Sequence, residues 1–401
     1  MPANQSSEEE SRLFLTSVHL KGFKSIENLK VDLNQRLNIL IGKNASGKSN
    51  FLECLSQVMM RDSTFKTSYK FAKLEFISSD NSLFVWEKER EIQNINVEKE
   101  NPQERLGLNE KLYIGNEEVF SNSLNLPSKP HIIYKKRRIM TRGGVRMILN
   151  RMGFRIYNPI YIRFNLTDNL EGISTPGTIK IPIQDNDLNF WSELNSLNFL
   201  TDLLWQLEIS YEQENRRDKI NKLLFLKRLK IKDSIKENLK KYSPIQDIRF
   251  NENLNIYKDE KIQTIENIKI DFKINNNWMP WSQLSDGTKR LFYMISEITN
   301  QEKGLIFVEE PELGIHPHQF RLIMEFLKEQ SEDKQIILTT HSPYALNCLN
   351  EEELSNILIT YFNNKNGTQM RHLTKPQITK AKKYMKEVGF LSDYWMLSDL
   401  E

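Results

Sequence analysis

The sequence predicts an α/β protein whose core is divided between two separated halves of the chain. Three short apolar runs, at residues 37–41, 305–308 and 336–340, are typical of strands buried in a parallel sheet. Amphipathic helical patterns follow the first two runs, as expected where strands alternate with helices. A long stretch of different composition separates the halves. We therefore expect one α/β core that carries a large insertion.

The composition is that of an ordinary soluble globular protein. The chain has 401 residues, 27% charged and 39% hydrophobic, with a formal net charge of +3. Cys54 and Cys348 lie far apart in no metal or redox spacing, which argues against a disulfide framework. No apolar run approaches the roughly 18 residues of a membrane span, and the N-terminus lacks a secretory signal. These features predict a cytoplasmic protein.

Changes in pattern along the chain predict its organisation. Residues 119–167 contain no Asp or Glu, and the pattern from about 190 to 241 is helical with a basic second half. The C-terminal tail is a candidate docking segment, with a helix packed on its own head as the alternative. The predicted segments are a disordered N-terminus (1–12), the N-terminal half of the core (13–90), the insertion (91–243), the C-terminal half (244–362) and the tail (363–401).

A glycine-rich loop follows the first predicted strand of the core. Residues 42–49 match G-x-x-x-x-G-K-[ST], a pattern whose backbone N–H groups point at phosphate oxygens. The helix that begins near Lys48 adds its positive dipole end. We expect Lys48 to reach the β- and γ-phosphates of ATP and the Ser49 hydroxyl to bind Mg²⁺. The predicted nucleotide contacts are Gly42, Lys43, Asn44, Ala45, Ser46, Gly47, Lys48, Ser49 and Asn50.

Two further predicted strands end in side chains suited to catalysis. Glu309 and Glu310 follow the run at 305–308. In a phosphate-loop site the first carboxylate holds Mg²⁺, and the second can take a proton from the attacking water. Glu309 is one methylene longer than the aspartate usual at this position. His341 follows the run at 336–340, where its ring can hydrogen-bond the γ-phosphate or the water. The candidate catalytic residues are therefore Lys48, Glu310 and His341.

Two other features are ambiguous when taken alone. Ser285 and Gly287 precede an apolar-striped helix, and Ser and Gly at a helix start are suited either to capping or to binding an anion. His316 and His318 invite a metal hypothesis, but no third ligand lies in obvious spacing.

The order of these motifs resembles the ABC-type ATPase superfamily. The details are similar to the branch that contains RecF, SMC heads and the overcoming-lysogenization-defect proteins. The resemblance implies an α/β ATPase head, with a mixed sheet and an antiparallel β-subdomain, that carries a large helical and basic insertion. The residues that carry it are 21–26, 38–50, 284–290, 309–317 and 340–343.

The resemblance also implies roles for the motif residues. Two heads would sandwich two ATP molecules, and Ser285 and Gly287 of one head would contact the γ-phosphate held by Lys48 of the other. Glu310 would be the general base and His341 the switch histidine.

Two further expectations come from the resemblance. The Q-loop glutamine of the family should lie before or within the insertion, and Gln184 is a candidate. Phe23 and Lys24 are candidates to flank the adenine.

The resemblance implies a homodimer or higher homo-oligomer and a class of function. The segment after His341 looks too short for the Toprim nuclease of overcoming-lysogenization-defect proteins. The chain therefore resembles the ATPase subunit of two-gene anti-phage or abortive-infection systems, with slow, switch-like hydrolysis that controls a separately encoded effector, such as a nuclease. The alternative is a RecF/SMC-like ATPase of DNA repair or chromosome maintenance. A transporter subunit is a third hypothesis, disfavoured by the long separation of Ser49 and Ser285.

The most uneven charge lies within the insertion. Val145, Ile148 and Leu149 interleave with arginines at helical spacing, which predicts a helix with one buried and one basic face. Such basic residues neutralise phosphates of DNA or RNA. Two alternatives stay open, namely pairing with acids of residues 87–118 within an oligomer and a solvated basic surface. The candidate nucleic-acid contacts are Lys135, Lys136, Arg137, Arg138, Arg142 and Arg146.

Overall fold

The computed structural model describes residues 12–59, 69–93, 105–122, 131–141, 144–154, 159–163, 177–182, 231–259, 262–301 and 304–398. The chain divides into two compact units. The first consists of Met1–Ile162, Lys303–Pro311 and Ser331–Glu401, and the second of Arg163–Glu302 and Glu312–Gln330. Within the described ranges, no helix combines the length and the apolar character needed to cross a membrane.

The described strands are β1 (Leu13–Phe23), β2 (Ile26–Asp32), β3 (Leu37–Ile41), β4 (Phe71–Ser78), β5 (Leu83–Gln93), β6 (Arg105–Ile114), β7 (Glu117–Ser121), β8 (His131–Tyr134), β9 (Arg137–Met140), β10 (Ile160–Ile162), β11 (Gly177–Pro182), β12 (Asp247–Phe250), β13 (Asn255–Lys258), β14 (Ile262–Ile268), β15 (Ile270–Ile274), β16 (Asn277–Pro280), β17 (Leu305–Glu309), β18 (Gln335–Thr340), β19 (Ile357–Asn363) and β20 (Gly367–His372). The described helices are α1 (Lys48–Met59), α2 (Val145–Arg151), α3 (Asp233–Tyr242), α4 (Asp286–Asn300), α5 (Pro317–Gln330), α6 (Lys375–Glu387) and α7 (Leu391–Leu397).

One large mixed sheet organises the first unit. Its strand order is β10-β17-β18-β3-β19-β20-β2-β1-β4-β5-β6-β7. The strands from β10 to β19 pair in parallel. The remaining pairs, from β19–β20 through β6–β7, are antiparallel. The prediction of an α/β head with a mixed sheet and an antiparallel part is therefore confirmed.

The burial of the strands explains why the parallel part could be read from sequence. Every residue of β3 and β18 is buried, and β17 is buried up to Glu309. Strands covered on both faces are near-continuous apolar runs. β4, in contrast, alternates between buried and half-buried residues because only one of its faces meets the core. The apolar face of α1, which includes Phe51, Leu55 and Val58, joins that core as predicted.

The sheet extends beyond the predicted start of the insertion. β6 lies after residue 90, yet it pairs with β5 from Phe84↔Ile114 to Gln93↔Arg105. β10 also falls inside the predicted insertion and pairs in parallel with β17. A strand at the antiparallel end of a sheet needs only one apolar face. β6 therefore carries charged residues among its apolar ones, and its sequence lacks the continuous apolar run that identifies a buried strand. The N-terminal segment of the first compact unit runs to Ile162.

The second unit contains two small antiparallel sheets and three described helices. The sheets have the orders β11-β14-β13 and β12-β15-β16. The ring of Phe272 packs against Trp281 and Phe292 at centroid distances of 5.7 and 5.0 Å. Of the helical pattern predicted from about 190 to 241, only α3 falls within the described residues.

Candidate functional site

The glycine-rich loop lies between β3 and α1, tightly against two neighbouring strands. A Cβ atom at Gly42 would lie 2.1 Å from the carbonyl oxygen of Thr360 in β19. Gly47 has φ +101°, and a Cβ there would lie 1.9 Å from Oγ1 of Thr368 in β20. Gly42 is therefore required by the close approach of the β19 backbone, and Gly47 by the Thr368 side chain and by its left-handed conformation. The fold thus fixes the loop at the carboxyl end of β3.

Lys48 is buried within this loop, with 4% of its surface exposed. Its Nζ donates hydrogen bonds to the carbonyl oxygens of Gly42 and Lys43, at 2.7 and 3.0 Å. It also donates to Nδ1 of His341, at 3.1 Å. A buried ammonium group needs such acceptors. These contacts hold the Lys48 ammonium group within the loop rather than in solvent.

His341 connects Lys48 to Glu310. Because the Lys48 ammonium can only donate, Nδ1 of His341 is the acceptor and Nε2 carries the ring proton. Nε2 donates that proton to Oε1 of Glu310. The three predicted catalytic residues therefore form one hydrogen-bonded series, Lys48–His341–Glu310. Parallel strands bring them together, since Glu309 of β17 is in register with Thr339 of β18.

The backbone of Glu310 adopts a left-handed conformation, with φ 47°. Its N–H donates to the carbonyl oxygen of Thr339 at 2.9 Å. A left-handed residue other than glycine costs about 1–2 kcal/mol, and such strain concentrates at functional sites. This conformation turns the carboxylate toward His341 directly after β17. The sequence gives no signal for it.

Glu309 has a partner that the sequence did not suggest. The hydroxyl of Tyr161, in β10, donates to Oε2 of Glu309 at 2.8 Å. Tyr161 lies in a segment predicted as insertion, and its only sequence signal is the short run Ile160-Tyr161-Ile162.

The loop residues fit a phosphate ligand and a hard cation. Oγ of Ser46 is buried and has no hydrogen-bond partner within the described residues, which suits an added phosphate oxygen. The hydroxyl of Ser49 and the carboxylate of Glu309 are hard oxygen donors of the kind that Mg²⁺ prefers. Asn50 is directed elsewhere, because its amide donates to Oγ of Ser25 at 2.7 Å. Lys43, Asn44 and Ala45 are exposed.

Ser285 and Gly287 belong to the second unit. Ser285 caps α4, where its Oγ accepts from the N–H of Thr288 at 3.3 Å. A Cβ at Gly287 would lie 2.8 Å from the carbonyl oxygen of Gly314. Arg290 donates to the neighbouring carbonyl of Leu313. The start of α4 is thereby joined to the loop that follows the Glu309–Glu310 pair in sequence.

The predicted basic residues fall into two structural groups. Lys135, Lys136, Arg137 and Arg138 form the exposed tip of the β8–β9 hairpin, and Lys135 pairs with Asp80.

The predicted helix of the basic segment is present as α2, and Val145, Ile148 and Leu149 form its buried face. Arg146, however, is half-buried and donates to the carbonyl oxygen of Met59, so it does not extend the exposed tip. Arg142 lies outside the described residues.

Other candidate residues are also placed. Phe23 is buried in the core, so its ring cannot stack on adenine, while Lys24 pairs with Glu53 at 2.5 Å. Gln184 lies outside the described residues. Nδ1 of His316 accepts from the backbone N–H of His318 at 3.3 Å, and within the described ranges no three His, Cys, Asp or Glu side chains cluster as metal ligands.

The C-terminal tail packs on the first unit in part. Leu391 and Trp395 of α7 are buried, and the N–H of Ser392 donates to Oδ1 of Asn347 at 2.9 Å. Asn347 lies in the 3₁₀ helix Pro343–Cys348, which begins two residues after His341. Phe390 and Leu397 are exposed. The tail thus combines a buried anchor with an exposed apolar edge.

Comparison with known protein families supports an ATPase. The family described as an AAA ATPase domain matches residues 14–142. A second family, with the description "AAA domain, putative AbiEii toxin, Type IV TA system", matches residues 179–347. The two matches together include the glycine-rich loop, the start of α4, the Glu309–Glu310 pair and His341. Both halves of the core are therefore similar to ATPase domains.

Individual proteins are also similar to this chain. An ATP/GTP phosphatase of Helicobacter pylori is 22% identical over 350 residues, which is 84% of this chain and 88% of that protein. The DNA replication and repair protein RecF of Bacillus mycoides is 29% identical over 77 residues, 19% of this chain and 18% of that protein. An SMC head bound to the C-terminal winged-helix domain of ScpA aligns with TM-score 0.46 and 15% identity, covering 92% of this chain and 99% of that one.

Proposed function

We propose that this chain binds and hydrolyses ATP as an ABC-type head that dimerises around the nucleotide. The observation that carries the proposal is the series Lys48–His341–Glu310, which places a cation, an imidazole and a carboxylate at a phosphate-binding loop. The similarity of both core halves to ATPase domains supports it. The relative called an ATP/GTP phosphatase supports hydrolysis, and GTP is the alternative substrate to compare.

Each residue of the series has a role in this proposal. Lys48 exchanges its contacts with the Gly42 and Lys43 carbonyls for the β- and γ-phosphates. Glu310 accepts a proton from the attacking water, and His341, which donates its Nε2–H to Glu310, holds that carboxylate in place. Mg²⁺, when bound by Ser49 and Glu309, would neutralise developing charge on the phosphates.

The same residues suit a switch that reports nucleotide state. The 3₁₀ helix Pro343–Cys348 begins two residues after His341, and α7 packs on it through Ser392 and Asn347. A shift of His341 on nucleotide binding would therefore be passed to the tail and its exposed Phe390 and Leu397. We propose that this tail docks a separately encoded effector and that the chain controls it in anti-phage defence. The toxin–antitoxin description of one matched family supports this biological setting.

The neighbouring gene gives a direct test of the effector proposal. A nuclease-like or toxin-like gene product that co-purifies with the chain, and separates from it when α7 is changed, supports defence. A neighbourhood of repair genes without such a partner favours the RecF-like alternative.

The catalytic proposal is tested by replacing Glu310 with Gln. Glu310→Gln keeps the shape and a hydrogen-bond acceptor for His341 but removes the base. We expect ATP affinity within about threefold of wild type and turnover lowered by roughly 10²- to 10⁴-fold, the usual worth of a general base. Equilibrium binding and phosphate release measure the two quantities separately.

The matched control is Glu332→Gln, an exposed acid of the first unit that pairs with Arg36. It should hydrolyse ATP as wild type does. Wild-type turnover in Glu310→Gln would remove Glu310 from its role. Failure of the wild-type protein to bind ATP or GTP at millimolar concentration with Mg²⁺ would overturn the proposal as a whole.

A second proposal concerns nucleic acid and rests on the β8–β9 hairpin. Its exposed tip carries Lys136, Arg137 and Arg138, and its outer face carries Ile133 and Met140, which are 77% and 54% exposed. Basic residues beside aliphatic ones suit a phosphate backbone and adjacent base edges. We propose this hairpin, rather than α2, as the nucleic-acid contact.

A further inference from the structure

Tyr161 is the residue of β10 that reaches the end of β17. The two strands pair in parallel, with Tyr161 opposite Phe307. The rings of Tyr161 and Phe307 meet nearly edge to face, with centroids 6.2 Å apart and an interplanar angle of 82°. Phe307 is fully buried, so it provides a rigid base for the tyrosine ring.

The tyrosine hydroxyl extends from this base along the sheet to Glu309. Glu309 lies two residues beyond Phe307 and therefore on the same face of β17. The hydroxyl donates to Oε2 of Glu309 at 2.8 Å, the usual length for a hydrogen bond of this kind. The bond fixes the plane of the carboxylate at the edge of the sheet where the phosphate-binding loop also lies.

Glu309 needs such support more than a shorter acid would. A glutamate has one more rotatable bond than an aspartate, and that bond must be ordered before the carboxylate can act as a ligand. Partners of this type, which orient a metal ligand from outside, commonly decide the affinity of the site. A tyrosine on the adjoining strand thus compensates for the extra methylene.

We infer that Tyr161 is a positioning residue, which holds the carboxylate of Glu309 in the orientation that binds Mg²⁺ beside the nucleotide. This inference rests on the proposed ATP-binding function. It assigns β10, a strand within the segment that the sequence marks as insertion, to the support of the cation site. It also explains how a glutamate can serve at the position usually occupied by aspartate.

The test compares nucleotide affinity with and without the cation. Tyr161→Phe keeps the ring on Phe307 and removes only the hydroxyl. We expect Kd for the non-hydrolysable analogue AMPPNP to be unchanged in EDTA and to rise about tenfold in Mg²⁺, in line with the usual effect of losing an orienting partner. The Mg²⁺ concentration for half-maximal ATP hydrolysis should rise similarly, while kcat at saturating Mg²⁺ stays near wild type. Unchanged affinity in EDTA also shows that the variant is folded.

A double variant distinguishes a positioning role of Tyr161 from a general loss of structure. Glu309→Asp draws the carboxylate back from the tyrosine hydroxyl, so adding Tyr161→Phe to it should change the Mg²⁺-dependent affinity by less than about twofold. The matched control is Tyr113→Phe, which removes a tyrosine-to-carboxylate bond, to Glu118 at 3.2 Å, elsewhere on the same sheet. That control should behave as wild type.

Three outcomes would overturn the inference. They are wild-type Mg²⁺-dependent affinity in Tyr161→Phe, an equal loss in the Glu309→Asp background, and an equal loss in Tyr113→Phe. A wild-type protein that binds no AMPPNP with Mg²⁺ would instead refute the proposed function itself, so the two failures are distinguishable.

Discussion

Lys88 shows how a single charged residue is accommodated in the core of the first unit. It lies in β5, is 6% exposed, and donates to the carbonyl oxygen of Val58 at 2.6 Å. Its Nζ lies 3.4 Å from Oε1 of Glu110, directly across the strand pair, and 4.2 Å from the centre of the Trp86 ring. Burial lowers the pKa of Lys88 from 10.5 to about 8, and Glu110 opposes the shift. Folding therefore disfavours its charged form.

This lowered pKa predicts stability that rises with pH. Below pH 8 Lys88 is protonated in both states, so its contribution is constant. Between pH 8 and 10.5 the unfolded chain keeps a proton that the folded protein has lost, which makes the free energy of unfolding increase. From pH 7.5 to 9.5 this adds about 2 kcal/mol. Lys88→Met should lose that rise, measured by urea unfolding at the two pH values.

In the comparison of wild type with Lys88→Met, the contributions of the other titratable groups to the pH dependence cancel. Burial also lowers the pKa of Lys334 to about 8, but that residue is unchanged in both proteins. Tyr69 and Tyr113, with pKa values raised to about 12, act above this pH range. Lys73→Met, on β4 beside the ion-pair partners Glu75 and Glu87, is the matched control and should keep the wild-type rise. An undiminished rise in Lys88→Met would contradict the prediction.

At the scale of elements, local pattern determined what the sequence could predict. β3, β17 and β18 were predicted because burial on both faces makes them apolar runs, and α1 because one face is buried. β6 and β10 were missed, since their place in the sheet depends on partners distant in sequence. The contact between Tyr161 and Glu309 follows from that pairing and was equally hidden.

The same contrast applies to the candidate site. Lys48, Glu310 and His341 could be named because each belongs to a motif with a chemical reason for its residue type. Their bonding order and the left-handed backbone of Glu310 could not, because both depend on how strands from opposite ends of the chain align. The predictions for Arg146 and Phe23 rested on position in the sequence alone. Spacing alone did not reveal that the first would turn inward or that the second would be buried.

The β8–β9 hairpin allows charge and backbone strain to be tested together. Its two-residue turn holds Lys135 and Lys136 at φ 44° and 65°, where Asn-Gly is usually preferred. Lys136→Gly should therefore raise the free energy of unfolding by about 1 kcal/mol. If the tip contacts nucleic acid, the same variant should weaken duplex DNA binding at low salt. The slope of log affinity against log salt concentration should also fall by the amount expected for about one phosphate contact.

The β15–β16 hairpin provides a matched control. Its turn residues Asn275 and Asn276 have φ 50° and 64°, so Asn276→Gly relieves the same backbone position without removing a charge. It should stabilise the protein and leave DNA binding unchanged. Equal DNA affinity in Lys136→Gly and Asn276→Gly, or no binding by the wild-type protein at low salt, would contradict the assignment of the hairpin.

At the scale of the whole molecule, the proposed dimer would complete each nucleotide site with residues of two chains. Lys48, Glu310 and His341 belong to the first unit, whereas Ser285 belongs to the second and would serve the nucleotide held by a partner chain. Ser285 also caps α4, so Ser285→Ala would lower the free energy of unfolding by about 1 kcal/mol. A loss of dimer in that variant could then come from lower stability as well as from a lost contact with the nucleotide. Asp and Asn both cap helices well, but only Asp places a negative charge against the γ-phosphate.

We therefore expect Ser285→Asp and Ser285→Asn to differ in how much dimer they form when each is combined with Glu310→Gln. With ATP and Mg²⁺, Glu310→Gln should accumulate a dimer that light scattering detects after size-exclusion chromatography. Adding Ser285→Asn should keep most of that dimer, while adding Ser285→Asp should leave monomers that still bind ATP at Lys48, because repulsion acts only across the interface. A Ser285→Asp dimer as abundant as the Ser285→Asn dimer would show that Ser285 does not face a partner's nucleotide, and assembly would then have to proceed through another surface.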